Sequence, residues 1–65
     1  MTLYDASKCG KRIRITFKDG TEPIIGIIDY MMYAKDTDDG RAWVAIDRYE
    51  VYEDEIESIE LAESE

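Results

Sequence analysis

Apolar and polar residues alternate strictly over residues 11–18, near the start of the chain. The apolar members of this run are Ile13, Ile15 and Phe17. Since successive side chains of a strand leave opposite faces of the backbone, the pattern predicts a half-buried strand. Asp19 and Gly20 then predict a turn, because glycine adopts positive φ without steric cost.

A return strand is predicted over residues 24–34, a run that is apolar on both faces. Such a strand either lies in the middle of a sandwich or bends so that its two halves face the core differently. A sandwich is too large for a chain of 65 residues. We therefore expect a bend at Gly26, since a glycine within a strand marks a bulge or a close bend.

Three further strands are predicted by the same alternation, and they span residues 41–47, 49–52 and 56–61. Residues 53–55 break the alternation and are expected to form a single helical turn. In the last strand, we expect Ile59 and Leu61 to face the core, and Ser58 and Glu60 to face solvent.

A short helix is predicted over residues 3–9. Thr2 and Asp5 fit a capping box in which the shorter acid replaces glutamate, and Gly10 is placed to end the helix in the left-handed conformation. One helix followed by five short antiparallel strands predicts an all-β fold, a small closed or nearly closed barrel. We expect a single domain over residues 1–65, with the helical segment in residues 1–10 and a frayed tail in residues 62–65.

Charge divides the chain into two unlike halves. Sixteen acids against eight bases give a formal net charge of −8, so this is a small acidic protein. Residues 1–34 carry five bases and four acids, a net +1, whereas residues 35–65 carry three bases and twelve acids, a net −9. A field of this sign repels phosphate backbones, so nucleic acid is a disfavoured partner.

The residue types present argue against catalysis. The chain has no histidine, asparagine or glutamine, and therefore lacks the ordinary base for a serine or cysteine nucleophile and an imidazole metal ligand. We expect no enzyme, no catalytic residues and no cofactor. Residues 36–40 with Asp47 resemble a calcium loop, but Gly40 stands fifth where the pattern needs a sixth-position glycine, so a hairpin loop without metal is favoured. Cys9 is expected to be a small buried side chain.

Membrane insertion is not expected. The chain has no apolar run near the roughly 18 residues needed to cross a bilayer. Its first five residues have neither the basic region nor the apolar core of a signal peptide. The expectation is a soluble cytoplasmic protein without a membrane partner.

The run from Ile13 to Gly20, followed by Gly26 and Asp29, resembles the first half of the Sm/LSm signature. Residues 51–56, running into Ile59, resemble the second half. The chain is similar to the Sm/LSm family of SH3-like barrels, and in particular to small Sm-like proteins of Gram-positive bacteria and their phages. The resemblance covers about residues 3–61 and implies a five-stranded Sm-like barrel in which the last strand lies beside the first.

The RNA site that the resemblance implies is altered in this chain. The family's base-binding loop ends in asparagine, whereas the matching run over residues 29–33 ends in Tyr33. The family's Arg-Gly pair is replaced by Glu53 and Asp54, which removes an attraction for phosphate and adds a repulsion. Residual RNA binding stays open as an alternative, and the residues left for it are Arg12, Arg14, Lys18 and Tyr33. Arg12, Arg14 and Lys18 form a basic stripe. Its ordinary role would be to pair across strands with Ser58 and Glu60 of the last strand.

The favoured function is a non-catalytic Sm-like interaction module that binds a protein, which nearby Glu50 and Glu53 bias towards a basic one. The resemblance implies homo-oligomers formed by edge pairing of residues 49–52 with residues 56–61, although like charges along both strands oppose it. The candidate interface residues are Tyr49, Glu50, Val51, Tyr52, Glu53, Ile56 and Glu57. A further alternative is an acidic mimic of nucleic acid that inhibits a basic host or phage-defence protein.

Overall fold

The computed structural model describes residues 1–62, and this part of the chain forms one helix and six strands. The elements are α1 (Leu3–Cys9), β1 (Ile13–Phe17), β2 (Ile24–Gly26), β3 (Ile28–Met32), β4 (Trp43–Ile46), β5 (Tyr49–Tyr52) and β6 (Ile56–Leu61). All paired strands are antiparallel and form two sheets of three strands, in the orders β2-β1-β6 and β3-β4-β5. The prediction of a mostly β protein with a short N-terminal helix is confirmed.

Of the predicted closed or nearly closed barrel of five strands, the closed form is wrong, and the number of five strands is not confirmed. The segment predicted as one bent strand over residues 24–34 is two strands, and the chain passes from one sheet to the other at Ile27. Within residues 1–62, no ladder joins β5 to β6. A 3-10 turn, Glu53–Glu55, separates them and bonds elsewhere, with the Glu53 amide donating to the Ala42 carbonyl at 2.9 Å.

Gly26 lies at the junction between the sheets, but for a different reason from the one predicted. Its φ is not in the left-handed region, and the nearest irregularity of the ladder lies further on, between Ile28 and Tyr30. A Cβ on Gly26 would stand 3.3 Å from Cγ1 of Ile46. The glycine therefore allows β2 to approach a fully buried side chain of β4.

The helix α1 begins and ends at the predicted residues. The Thr2 hydroxyl accepts a hydrogen bond from the Asp5 amide at 3.0 Å, and Gly10 ends the helix with φ 67°. Leu3 and Ala6 lie on one face of α1 and are buried in the core. Cys9 is half-buried beside them, and its thiol donates to the Ala6 carbonyl at 3.3 Å.

One hydrophobic core joins the helix and both sheets. Its buried strand residues are Ile13, Ile15, Val44, Ile46, Val51 and Ile59. The alternation predicted for the last strand holds for Ile59, which is buried, whereas Leu61 is the last residue of β6 and is 46% exposed, so its predicted core position is wrong. None of the helices in this described part is long and apolar enough to cross a bilayer.

The first residue of the predicted frayed tail, Ala62, is paired. The Ala62 amide donates to the Arg12 carbonyl at 3.0 Å, which extends the pairing of β6 with β1 by one residue. The rest of that predicted tail, residues 63–65, lies outside the described residues.

Candidate partner-binding groove

A groove of about 710 Å³ opens between β5 and the connection from β1 to β2. Its floor is apolar and is formed by Phe17, Pro23, Ile24, Tyr49 and Val51. Its rim is acidic and carries Asp19, Glu22, Glu50, Asp54 and Glu55, with Lys18 as the only cation among these lining residues. The groove therefore combines an apolar base with a strongly negative border.

Tyr49 shows that the groove is a part of the core face left uncovered. The ladder pairs Ile46 with Tyr49 and Val44 with Val51, which places all four side chains on the inner face of their sheet. Ile46 and Val51 are 0% and 3% exposed, whereas Tyr49 is 50% exposed. An aromatic ring on a core-facing position is thus left open to solvent where the two sheets fail to close.

The groove also runs along the free edge of β5. Tyr49, Glu50 and Val51 follow one another in the strand, so their side chains alternate between its two faces. All three line the groove. A cavity that contacts both faces of a strand lies at the strand's edge.

The backbone of β5 offers unpaired groups at this edge. Pairs in an antiparallel ladder exchange hydrogen bonds at alternate positions, and the Glu53 amide bonds to Ala42. By the same alternation, Val51 bonds to Val44, whereas Glu50 and Tyr52 direct their backbone N–H and C=O groups away from β4. These outward groups can accept an added strand.

Arg41 holds part of the acidic rim in place. Its Nε and Nη2 donate to the two carboxylate oxygens of Asp54 at 2.8 and 2.9 Å, and its guanidinium lies 3.8 Å from the centroid of the Tyr52 ring. These hydrogen bonds lower the pKa of Asp54, with smaller contributions from the charges of Arg41 and Lys18. These contacts therefore hold the turn Glu53–Glu55 against the segment that precedes β4.

The other rim carboxylates differ in how far they are engaged. Asp19 accepts hydrogen bonds from the hydroxyl and the amide of Thr21, which lower its pKa. The ion pairs in residues 1–62 all involve Arg41, so Glu22 and Glu50 have no cation within 4 Å there. No three potential metal ligands converge in this part of the chain. The rim therefore contains carboxylates, Glu22 and Glu50, that are without an ion pair in residues 1–62.

The seven predicted interface residues fall into separate places. Tyr49, Glu50 and Val51 line the groove, and Tyr52 lies on the outer face of β5 beneath Arg41. The other three, Glu53, Ile56 and Glu57, line a shallower cavity of about 240 Å³ beside the start of α1. Apart from Lys18, which was a candidate for RNA contact, sequence reasoning missed the opposite wall of the groove, residues 17–24, because it treated the Asp-Gly segment only as a turn.

The residues predicted for RNA contact are not brought together. Lys18 lines the groove, while Arg12 borders a different cavity with Ile27 and Asp47. Tyr33 packs against the ring of Tyr4, with centroids 6.3 Å apart.

The remaining residue of that set, Arg14, lies opposite Glu60 in the β1–β6 ladder, and Thr16 lies opposite Ser58. The register agrees with the predicted facing for Arg14 and Glu60 alone, since Ser58 lies opposite Thr16, which is not part of the basic stripe.

Comparisons with protein-family models, with curated proteins and with solved structures found no match to this chain. The Sm-like resemblance therefore stays a prediction.

Proposed function

We propose that this chain is a non-catalytic interaction module that binds another protein at the free edge of β5. The observation that carries the proposal is Tyr49, which stands on a core-facing position and is nevertheless half exposed, beside a strand edge with unpaired backbone groups. Extended segments bind such edges through main-chain hydrogen bonds, and an adjacent apolar groove adds specificity.

An Sm-like relationship supports the same function. The pairing of β6 with β1 agrees with the arrangement that the resemblance implies, in which the last strand lies beside the first. The order of helix, strands and short turn along the chain also fits it. We propose an Sm-like scaffold that binds protein rather than RNA, since Arg12, Lys18 and Tyr33 lie in different places.

A second candidate function is self-assembly by pairing β5 of one copy with β6 of the next. The observation in its favour is that both strands are outermost in their sheets. Two features weigh against it. Glu50 and Glu57 would bring like charges together, and the Met1 amino group donates to the Ile59 carbonyl of β6 at 3.3 Å.

Proline at position 50 tests the use of the edge. Because the Glu50 amide points away from β4, Glu50→Pro removes no ladder hydrogen bond, whereas Glu50→Ala removes the carboxylate and keeps the amide. Proteins crosslinked to the wild-type chain in a lysate of the source cell should be captured more weakly by the alanine variant and lost by the proline variant. Identical capture by all three chains, with folding verified by urea titration, would exclude binding at the β5 edge.

Light scattering separates the two candidates. If the partner is another protein, we expect the pure chain to be monomeric in both about 20 mM and about 500 mM salt. Salt only screens the surface charges of the chain and supplies no binding partner. A ring or dimer that forms in high salt and is abolished by Glu50→Pro would favour self-assembly instead.

A further inference from the structure

We propose that the groove takes an extended segment of a partner protein in which basic and apolar residues alternate. This inference depends on the proposed function, and it specifies the chemistry of the partner. Three features support the inference: the free edge of β5, the apolar floor of the groove, and the positions of the carboxylates that have no ion pair.

The edge determines the backbone conformation of the occupant. A segment that pairs with the outward N–H and C=O groups of Glu50 and Tyr52 is a strand, so its side chains alternate between the two faces. The short length of β5, Tyr49–Tyr52, limits the paired part of the occupant to a few residues.

The floor of the groove determines the side chains on the inner face of the occupant. Side chains on the inner face of the added strand would lie beside Tyr49 and Val51, over the ring of Phe17 and the side chain of Ile24. Tyr49 and Ile24 are at present exposed or half-buried, so apolar side chains placed there remove apolar surface from water on both partners. The volume of about 710 Å³ is within the range of pockets that enclose small ligands.

The rim determines the side chains on the outer face of the occupant. Glu50 projects from the outer face of β5, and Glu22 projects from the opposite wall, and neither has an ion-pair partner in the described chain. Arginine or lysine side chains of the occupant can bond to these carboxylates, and a charge-assisted hydrogen bond is stronger than a neutral one. An acidic segment or a nucleic acid would meet the two carboxylates of Glu22 and Glu50, which no cation of the described chain offsets, as well as Asp19 and the Arg41-paired Asp54 and Glu55.

A second copy of this chain does not supply such a segment. Its basic and apolar alternation lies in residues 12–18, and the central part of that run is β1. β1 is bonded on both sides, to β2 and to β6, and offers no free edge. The occupant is therefore another protein.

Fluorescence anisotropy with a labelled synthetic peptide tests the inference. The probe alternates arginine and valine, and a second peptide of the same composition groups all arginines before the valines. We expect the alternating peptide to bind. The double variant Glu22→Gln with Glu50→Gln should weaken its binding by about tenfold or more, since two charged contacts are lost. The grouped peptide should bind much more weakly to the wild-type chain.

A matched control separates the groove from overall charge. Glu57→Gln with Glu60→Gln also removes two carboxylates, but from β6 outside the groove. This control should change the affinity by less than about twofold at moderate salt, because neither carboxylate lines the groove and exposed charges that make no direct contact are screened. Equal weakening by both double variants, or equal binding of both peptides, would overturn the inference in favour of general electrostatic attraction. Absence of binding by the wild-type chain at about 1 mM peptide would overturn it as well.

These outcomes are distinguishable from failure of the proposed function. If Glu50→Pro abolishes capture of a cellular partner while the alternating peptide does not bind, the edge is used but its occupant is not of the inferred chemistry. If neither the capture nor the peptide depends on position 50, both proposals fail.

Discussion

Gly26 and Ile46 show how one residue can depend on a neighbour that is distant in sequence. The φ of Gly26 is not unusual. A side chain is excluded at this position because it would lie too close to the buried Ile46 of β4. Sequence alone indicated that Gly26 was special, but it could not supply the reason, because Ile46 reaches it only through the fold.

Gly26→Ala should lower the free energy of unfolding by about 1–3 kcal/mol, as an added carbon in a packed core forces its neighbours to shift. Equilibrium urea unfolding measures the change. Ile46→Ala removes Cγ1, the atom that would lie 3.3 Å from the new carbon, so the double variant should lose less stability than the sum of the single losses. Strictly additive losses would contradict the contact.

Asp54 should make the stability of the fold depend on pH. The Arg41 hydrogen bonds lower its folded-state pKa, so the carboxylate stabilises the fold above its unfolded pKa of about 3.9, and this contribution is lost as pH falls through the lower folded value. Between about pH 6 and about pH 2.5, the urea midpoint should fall more for the wild-type chain than for Asp54→Asn.

Asp38→Asn is the matched control for this comparison. It removes the same charge from an exposed carboxylate that has no ion pair in residues 1–62, and it should keep the acid dependence of the wild-type chain. If Asp54→Asn shows that same dependence, the Arg41 pair does not contribute. The pair itself was not predictable, because its members lie 13 residues apart.

At the scale of elements, local signals predicted most of the secondary structure. The bounds of α1, β5, β6 and the Glu53–Glu55 turn agree with those expected from capping and alternation, since both act over a few residues. The division of residues 24–34 into β2 and β3 was not predicted as two strands. A run that is apolar on both faces does not show where a chain changes sheets, because the same pattern fits one bent strand and two shorter ones. The junction itself is not buried, since Ile25 and Ile27 are 37% and 47% exposed.

The cap of α1 gives the prediction at this scale. Thr2→Ala should lower the free energy of unfolding by about 1 kcal/mol, because the Asp5 amide loses its acceptor at the start of the helix. Thr2→Asp supplies another acceptor and should retain most of the stability. Chemical denaturation followed by far-ultraviolet circular dichroism measures both, and an equal loss in the two variants would show that the hydroxyl does not cap the helix.

At the scale of the whole molecule, the closure of the barrel and the site were the least predictable. Closure depends on whether β5 and β6 meet, which is decided by the path of the Glu53–Glu55 turn. The groove combines residues 17–24 with β5, and the alternation pattern treats those segments separately. The acidic charge was predictable from composition, but its concentration around an apolar floor was not.

Net charge should make the fold more stable in salt. With a formal charge of −8 and twelve of the sixteen acids in residues 35–65, repulsion destabilises the compact state and is screened by ions. The thermal midpoint should therefore rise between about 20 mM and about 500 mM sodium chloride. A variant with Asp38→Asn and Glu57→Gln, whose formal charge is −6 because two of the eight excess charges are removed, should show a smaller rise. A midpoint that falls with salt would mean that attractive pairs dominate.

The position of β1 between β2 and β6 has a consequence for biosynthesis. Arg14 pairs with Ile25 on one side and with Glu60 on the other. A nascent chain emerging from the ribosome can form the hairpin of β1 and β2 early, but the second side of β1 has no strand to pair with until Ile56–Leu61 has been translated. Distant pairings of this kind are slow to form and leave an edge exposed meanwhile. Completion of this sheet is therefore a late event in folding, and the cationic alternating strand at its centre is open to solvent until then.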